Sequence, residues 1–109
     1  MENEKIEHGI PFVFEDSVSY QADGIVSKRI IQKEKGNITL FAFDAGQKLS
    51  EHTAPFDALV QVMQGSAEIV IGEKPNQLNA GQSIIMPANI PHAVNANVRF
   101  IMLLTMIRE

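Results

Sequence analysis

From Ile25 to Ile107 the chain is a succession of short apolar, β-branched runs punctuated by Gly, Pro and Asn at a spacing of roughly 8 to 12 residues, the signature of a sandwich or barrel. No segment carries a convincing helical repeat. Residues 25–32 and 37–44, joined by the polar, Gly-ended stretch 33–36, read as a hairpin. Further strands are expected at 48–53, 58–64, 67–71, 77–79, 83–86, 92–95 and 99–107. Residues 72–76 carry the Gly and Pro chemistry of a loop. The last run, Arg99 to Ile107, is apolar at both odd and even positions, so one face fills an interior while the other needs a cover. A second copy is the simplest cover and makes the chain a homodimer; residues 10–14 of the same chain are the alternative.

Length and composition narrow the class further. At 109 residues the chain holds one domain, with residues 1–9 as a mobile polar tail and 10–109 as the β-barrel domain. Apolar residues make up 45% and charged residues 20%, enough to build a core. There is no cysteine, which removes disulfides, thiolate metal sites and thiol nucleophiles. A net charge of -4, with Lys28 and Arg29 as the one basic pair, disfavours nucleic acid as a partner. No apolar run is long enough to span a bilayer or to resemble a secretory signal, so the expected compartment is the cytoplasm and no membrane is expected as a partner.

Two segments carry the chemistry. In the first, Gly46 precedes His52 by six positions and Gly65 follows thirteen later; in the second, Gly81, Pro87 and His92 are spaced by six and five. Pro87 and Pro91 place residues 86–92 at a turn that delivers His92 to the start of a strand. His52 ends a strand before another Pro-containing loop, and in a barrel both imidazoles can point to one spot. At these positions the chain resembles the cupin superfamily, whose first motif is Gly, five residues, His-x-His, a Glu three or four residues on, and a Gly six residues later. Its second motif is Gly, five residues, Pro-x-Gly, two residues, His, three residues, Asn. The resemblance implies a cupin-like, jelly-roll β-barrel of about eight to eleven strands.

The resemblance also implies one divalent transition metal held by both histidines of His-x-His, the Glu, and the histidine of the second motif. Here the positions of the second histidine and the Glu are Ala54 and Ala58, the Pro-x-Gly glycine is Asn89, and the final Asn is Ala96. His52 and His92 therefore remain as candidate metal ligands and as candidate catalytic residues, since neutral imidazole serves both roles near neutral pH. Two imidazoles fall short of the three or more protein ligands of stable sites. Glu51 and Gln61 fall on the wrong faces by strand alternation; Asp57 is one residue out of phase with Ala58, but the loop before it can bend to bring it in, which leaves it as the one candidate third ligand. Phe41, Phe43, Met63, Met86, Met102 and Met106 read mainly as core with some lining a pocket, Asp44 and Asp57 also read as turn residues, and His8 as a solvated tail residue.

Three functions fit these residues. The first is a barrel that binds a small molecule in its interior, with a weak or incomplete metal site at the two histidines. The second is a metal-dependent cupin enzyme of oxygenase or isomerase type using His52 and His92 as ligands, and the third is metal-free acid–base catalysis by one histidine.

Overall fold

A computed structural model of the chain describes residues 5–109; residues 1–4 of the expected tail lie outside the described residues. Nine strands form: β1 (Ile25–Lys33), β2 (Gly36–Phe43), β3 (Lys48–His52), β4 (Asp57–Gln64), β5 (Ser66–Ile71), β6 (Lys74–Asn79), β7 (Ser83–Met86), β8 (His92–Asn95) and β9 (Phe100–Ile107). Apart from one turn of 3-10 helix at Phe14–Asp16, no helix occurs among the described residues. The strands make two sheets, one ordered β1-β2-β9-β4-β7 and the other β3-β8-β5-β6, with every pairing antiparallel. The jelly roll is thus two facing sheets, and no ladder joins their edges among the described residues.

Side chains alternate as the pleat requires. Along β4, Ala58, Val60 and Val62 point inward to meet Ala67 and Ile69 of β5, Val94 of β8, and Phe100 and Met102 of β9. The Phe43 and Phe100 rings, cross-strand neighbours on β2 and β9, stack within this interior with centroids 4.6 Å apart. Both are fully buried, and burying an aromatic of this size is among the largest single contributions a small core can have. Of the candidate pocket residues, Phe43, Met86 and Met102 belong to this core, Phe41 and Met106 pack against it, and Met63 lies on the outer face.

The outer face of the five-stranded sheet is where the two-sided apolarity of β9 is resolved. Leu40, Ala42, Ile101 and Leu103 form a second buried cluster there with Val18, joined by Phe14, Tyr20 and Met63. Residues of the same chain therefore cover part of this face, somewhat later than residues 10–14: Ile10, Phe12 and Val13 stay substantially exposed. The segment is pinned at its end by Tyr20, whose hydroxyl donates to Gln64 Oε1 (2.6 Å) and whose ring carries the Arg99 guanidinium 4.5 Å from its centroid. Arg99 in turn pairs with Asp44 at 3.0 Å, and Asp44 Oδ2 accepts the Asp23 amide. That amide, followed by Arg99, holds the Asp44 carboxyl below its ordinary pKa.

One strand is longer than the residue chemistry suggests. Residues 74–76 join β6 although Pro75 has no N–H to donate, and the loop shrinks to Gly72 and Glu73. β6 lies at the sheet edge, where a missing donor costs little. Gly65, between β4 and β5, has φ +76°, and a Cβ there would collide with the Arg99 carbonyl oxygen, so this turn requires glycine.

Candidate functional site

His52 and His92 meet. They are cross-strand partners at the end of the β3–β8 ladder, with Nε2 atoms 3.1 Å apart and ring centroids 4.3 Å apart. The way His52 arrives is not simple alternation. Leu49 pairs with Val94 and His52 with His92, so β3 advances three residues while β8 advances two. Without that β-bulge, His52 would lie on the face opposite Leu49 and Val94; with it, His52 shares the face of His92. An unbroken period of two conceals this extra residue, and no residue in Leu49–His52 announces it.

The loops on either side are fastened to each other. The Asn89 amide donates to the Ala54 carbonyl (2.8 Å), and the Ala88 amide donates to Asp57 Oδ1 (3.0 Å). The Gly72 amide donates to the Pro91 carbonyl (2.7 Å), tying the same turn to the β5–β6 hairpin. Asn89 has φ +66°, so it adopts the left-handed conformation that the superficially missing glycine of the second motif would supply, and Asn is the side chain that tolerates it best after glycine. That departure from the motif is conformationally silent.

The other departures are not. Ala58 is buried in the core among Val60, Met86 and Met106, a methyl group where the resemblance implies a carboxylate. Asp57 does not replace it: it occupies the opposite side of β4 by alternation, its carboxylate holds the Ala88 amide, and it lines a cleft on the outside of the sheet. Asp57, expected as a third ligand, is placed at the Ala88 amide and not beside the two rings. Among the described residues no group of three or more His, Cys, Asp or Glu side chains is placed to hold a metal ion. The donor set, two imidazoles with a methyl and a tethered carboxylate for neighbours, does not fit the metal that the family resemblance implies.

The electrostatics of the pair follow from its partners. His92 is 7% exposed and its Nδ1 contacts the Ile90 carbonyl at 3.2 Å; His52 is exposed and its Nδ1 contacts the Ser50 carbonyl at 2.8 Å. Each Nδ1 thus faces a carbonyl oxygen, which only accepts, and the two Nε2 atoms face each other. Burial, and secondarily the neighbouring His52, push the pKa of His92 below its ordinary value, against the Ile90 carbonyl, which raises it. Neither these carbonyls nor the bulge was legible as part of the site in the residue pattern. Clefts of about 240 to 600 Å³ open elsewhere among the described residues, and neither histidine lines these. His8 is exposed.

The fold is shared with solved structures. A conserved protein of unknown function from Streptococcus pyogenes superposes with a TM-score of 0.92 at 36% identity, over 97% of this chain and 93% of that one. A cupin 2 conserved barrel domain protein from Leptotrichia buccalis is 39% identical with a TM-score of 0.84, over 86% of this chain and 46% of that one; the chain spans about half of that protein's length. A cupin superfamily protein from Desulfitobacterium hafniense matches at 24% identity with a TM-score of 0.90 over 97% of each chain, a likeness of fold. No curated protein matches the chain. Residues 39–106, which hold both motifs and six of the nine described strands whole, match the family model described as a cupin domain, and the chain belongs to the cupin family.

Proposed function

We propose that this chain is a small-molecule-binding cupin whose ligand engages the His52–His92 pair, with no tightly held metal. The observation that carries this reading is that the two imidazoles converge to 3.1 Å while the other two positions of the family's ligand set are alanines and the nearest candidate carboxylate holds a backbone amide. A second copy covering the apolar outer surface around Leu59, Ile85 and Ile107 is part of the same proposal. Ile85 and Ile107 are each 62% exposed beside a cleft of about 600 Å³. Among the described residues no helix is long and apolar enough to cross a membrane.

The test is elemental analysis of the purified protein together with ligand screening of the wild type, His52→Ala and His92→Ala by thermal shift. The expected result is substoichiometric metal and a stabilising ligand that neither variant recognises. Stoichiometric metal that either substitution removes would overturn the reading in favour of a metal-dependent cupin. A monomeric mass at micromolar concentration by light scattering would remove the second copy.

A further inference from the structure

The β1–β2 ladder carries a β-bulge of its own, away from the histidines. Arg29 pairs with Thr39 and Ile31 with Ile38, so β1 advances two residues while β2 advances one. Ile30 and Ile31 together oppose Ile38, and both line the outer face of the five-stranded sheet, where strict alternation would show only one of them.

Around these isoleucines lies a groove in two parts. A cleft of about 240 Å³ is covered by residues 6–14, with Ile10, Phe12 and Phe14 on one wall and Ile30, Ile38 and Leu103 on the other. A second cleft, of about 260 Å³, adjoins it through Ile31 and Ile38 and runs past Thr105 to Ile107, with Lys33 and Lys35 of the β1–β2 turn at its border. Gly36 is the cross-strand partner of Ile107 there, so no side chain fills the groove on the β2 side. Ile31 is 41% exposed and Ile107 62%. Large apolar side chains held open along a groove mark a place for an occupant.

We infer that this groove is a binding site, separate from the histidine pair, for a single-chain anionic amphiphile, with its alkyl tail beneath residues 6–14 and its carboxylate at Lys33 and Lys35. The inference goes beyond the binding reading above and does not rest on it.

Charge sets the direction of the ligand. Lys33 and Lys35 are the charged side chains among the residues lining the outer cleft, whereas Glu7, beside His8, lines the covered one. A carboxylate is drawn to the lysine end and repelled by Glu7 at the other. Between the ends the walls are apolar, and an apolar cavity stays dry and accepts an apolar guest. Leu103 and Ile107, at the two ends of the groove, are four residues apart on β9, roughly 14 Å at the rise of a strand, which suits an alkyl chain of medium length. The cover over the inner cleft argues for a free amphiphile over a bilayer surface, because a headgroup layer would meet the lysines and leave the covered part empty. A second copy seated on Leu59 and Ile85 uses the other side of Ile107.

The experiment is titration of the full chain with decanoate below its micelle concentration, read by calorimetry and by NMR of the isoleucine methyl groups. The expected result is one equivalent bound, with methyl shifts at Ile31, Ile38 and Ile107 and affinity falling roughly tenfold for each two carbons removed from the ligand. The exposed pair Lys33→Glu and Lys35→Glu, introduced together, should weaken decanoate at least tenfold and strengthen decylammonium, while uncharged decanol binds both proteins alike. His52→Ala should bind decanoate as the wild type does. Absence of saturable binding, uptake of many equivalents indifferent to the lysines, or loss of binding in His52→Ala would overturn the inference. A dimer that decanoate splits into monomers would overturn it by giving the groove to a second copy, and attachment to phosphatidylglycerol vesicles without a response to free decanoate would overturn it in favour of a lipid surface.

Discussion

The two sheets of this cupin do different work. The five-stranded sheet is buried on both faces at its β2–β9 centre, with Phe43, Phe100 and Met102 on one side and Leu40, Ile101 and Leu103 on the other. The four-stranded sheet buries one face only, and β3, which carries His52, is an edge strand exposed along most of its length. Stability is concentrated where strands have neighbours on every side, and the polar pair sits where one strand has a free edge and a bulge. An edge strand can absorb an extra residue without breaking a second ladder, whereas a central strand cannot.

Substitutions should separate the two sheets by size of effect. Phe100→Ala removes a fully buried ring stacked on Phe43 and is expected to cost about 3–5 kcal/mol, read as a lowered urea midpoint. Should it cost under about 1 kcal/mol, the five-stranded sheet is not the anchor. Leu103→Ala empties the outer cluster beneath the N-terminal segment and should cost about 2–3 kcal/mol, with faster proteolysis before Ile25 as an independent sign that the cover has loosened. Unchanged proteolysis would mean that the segment is held by Tyr20 and Arg99 alone. Asp57→Ala deletes the tie to the Ala88 amide and is expected to cost about 1 kcal/mol, while ligand binding at the pair falls by more than that stability change explains. Equal losses would reduce Asp57 to an ordinary surface contact.

The smallest effect is that of pH. The folded-state pKa of His92 lies below its ordinary value near 6.5, so the unfolded chain binds the proton more readily. Stability should therefore be at its plateau above that ordinary value and decline as the pH falls from there through the lowered folded-state value. Urea midpoints of the wild type and His92→Gln at pH 8 and below pH 6 measure it: the decline should shrink in the variant. A wild-type midpoint that rises on acidification would show that the buried ring gains its proton on folding, the reverse of what burial dictates.

Much of this architecture was readable from residues. The strand positions follow from β-branched runs and their Gly and Pro breaks, and the two motifs, Gly46 to Gly65 and Gly81 to Ala96, carry the expectation that both imidazoles point to one spot. The misplacements have local causes. Pro75 looked like a loop residue because proline breaks ladders, yet β6 is an edge. Asp57, out of phase with Ala58, depended on a bend of the loop before it, and in the structure its carboxylate holds the Ala88 amide.

The residues by themselves determined the strand periodicity, the two imidazoles and the absence of their usual companions at 54 and 58, because these are properties of side-chain type and spacing along one chain. Only the tertiary structure decided that a bulge turns His52 toward His92, that Asp57 is occupied by a backbone amide from another loop, and that residues 14–20 lie on β9. Each of these is settled by which backbone groups come within hydrogen-bond or packing distance once two sheets face each other, and that information does not exist in any one segment.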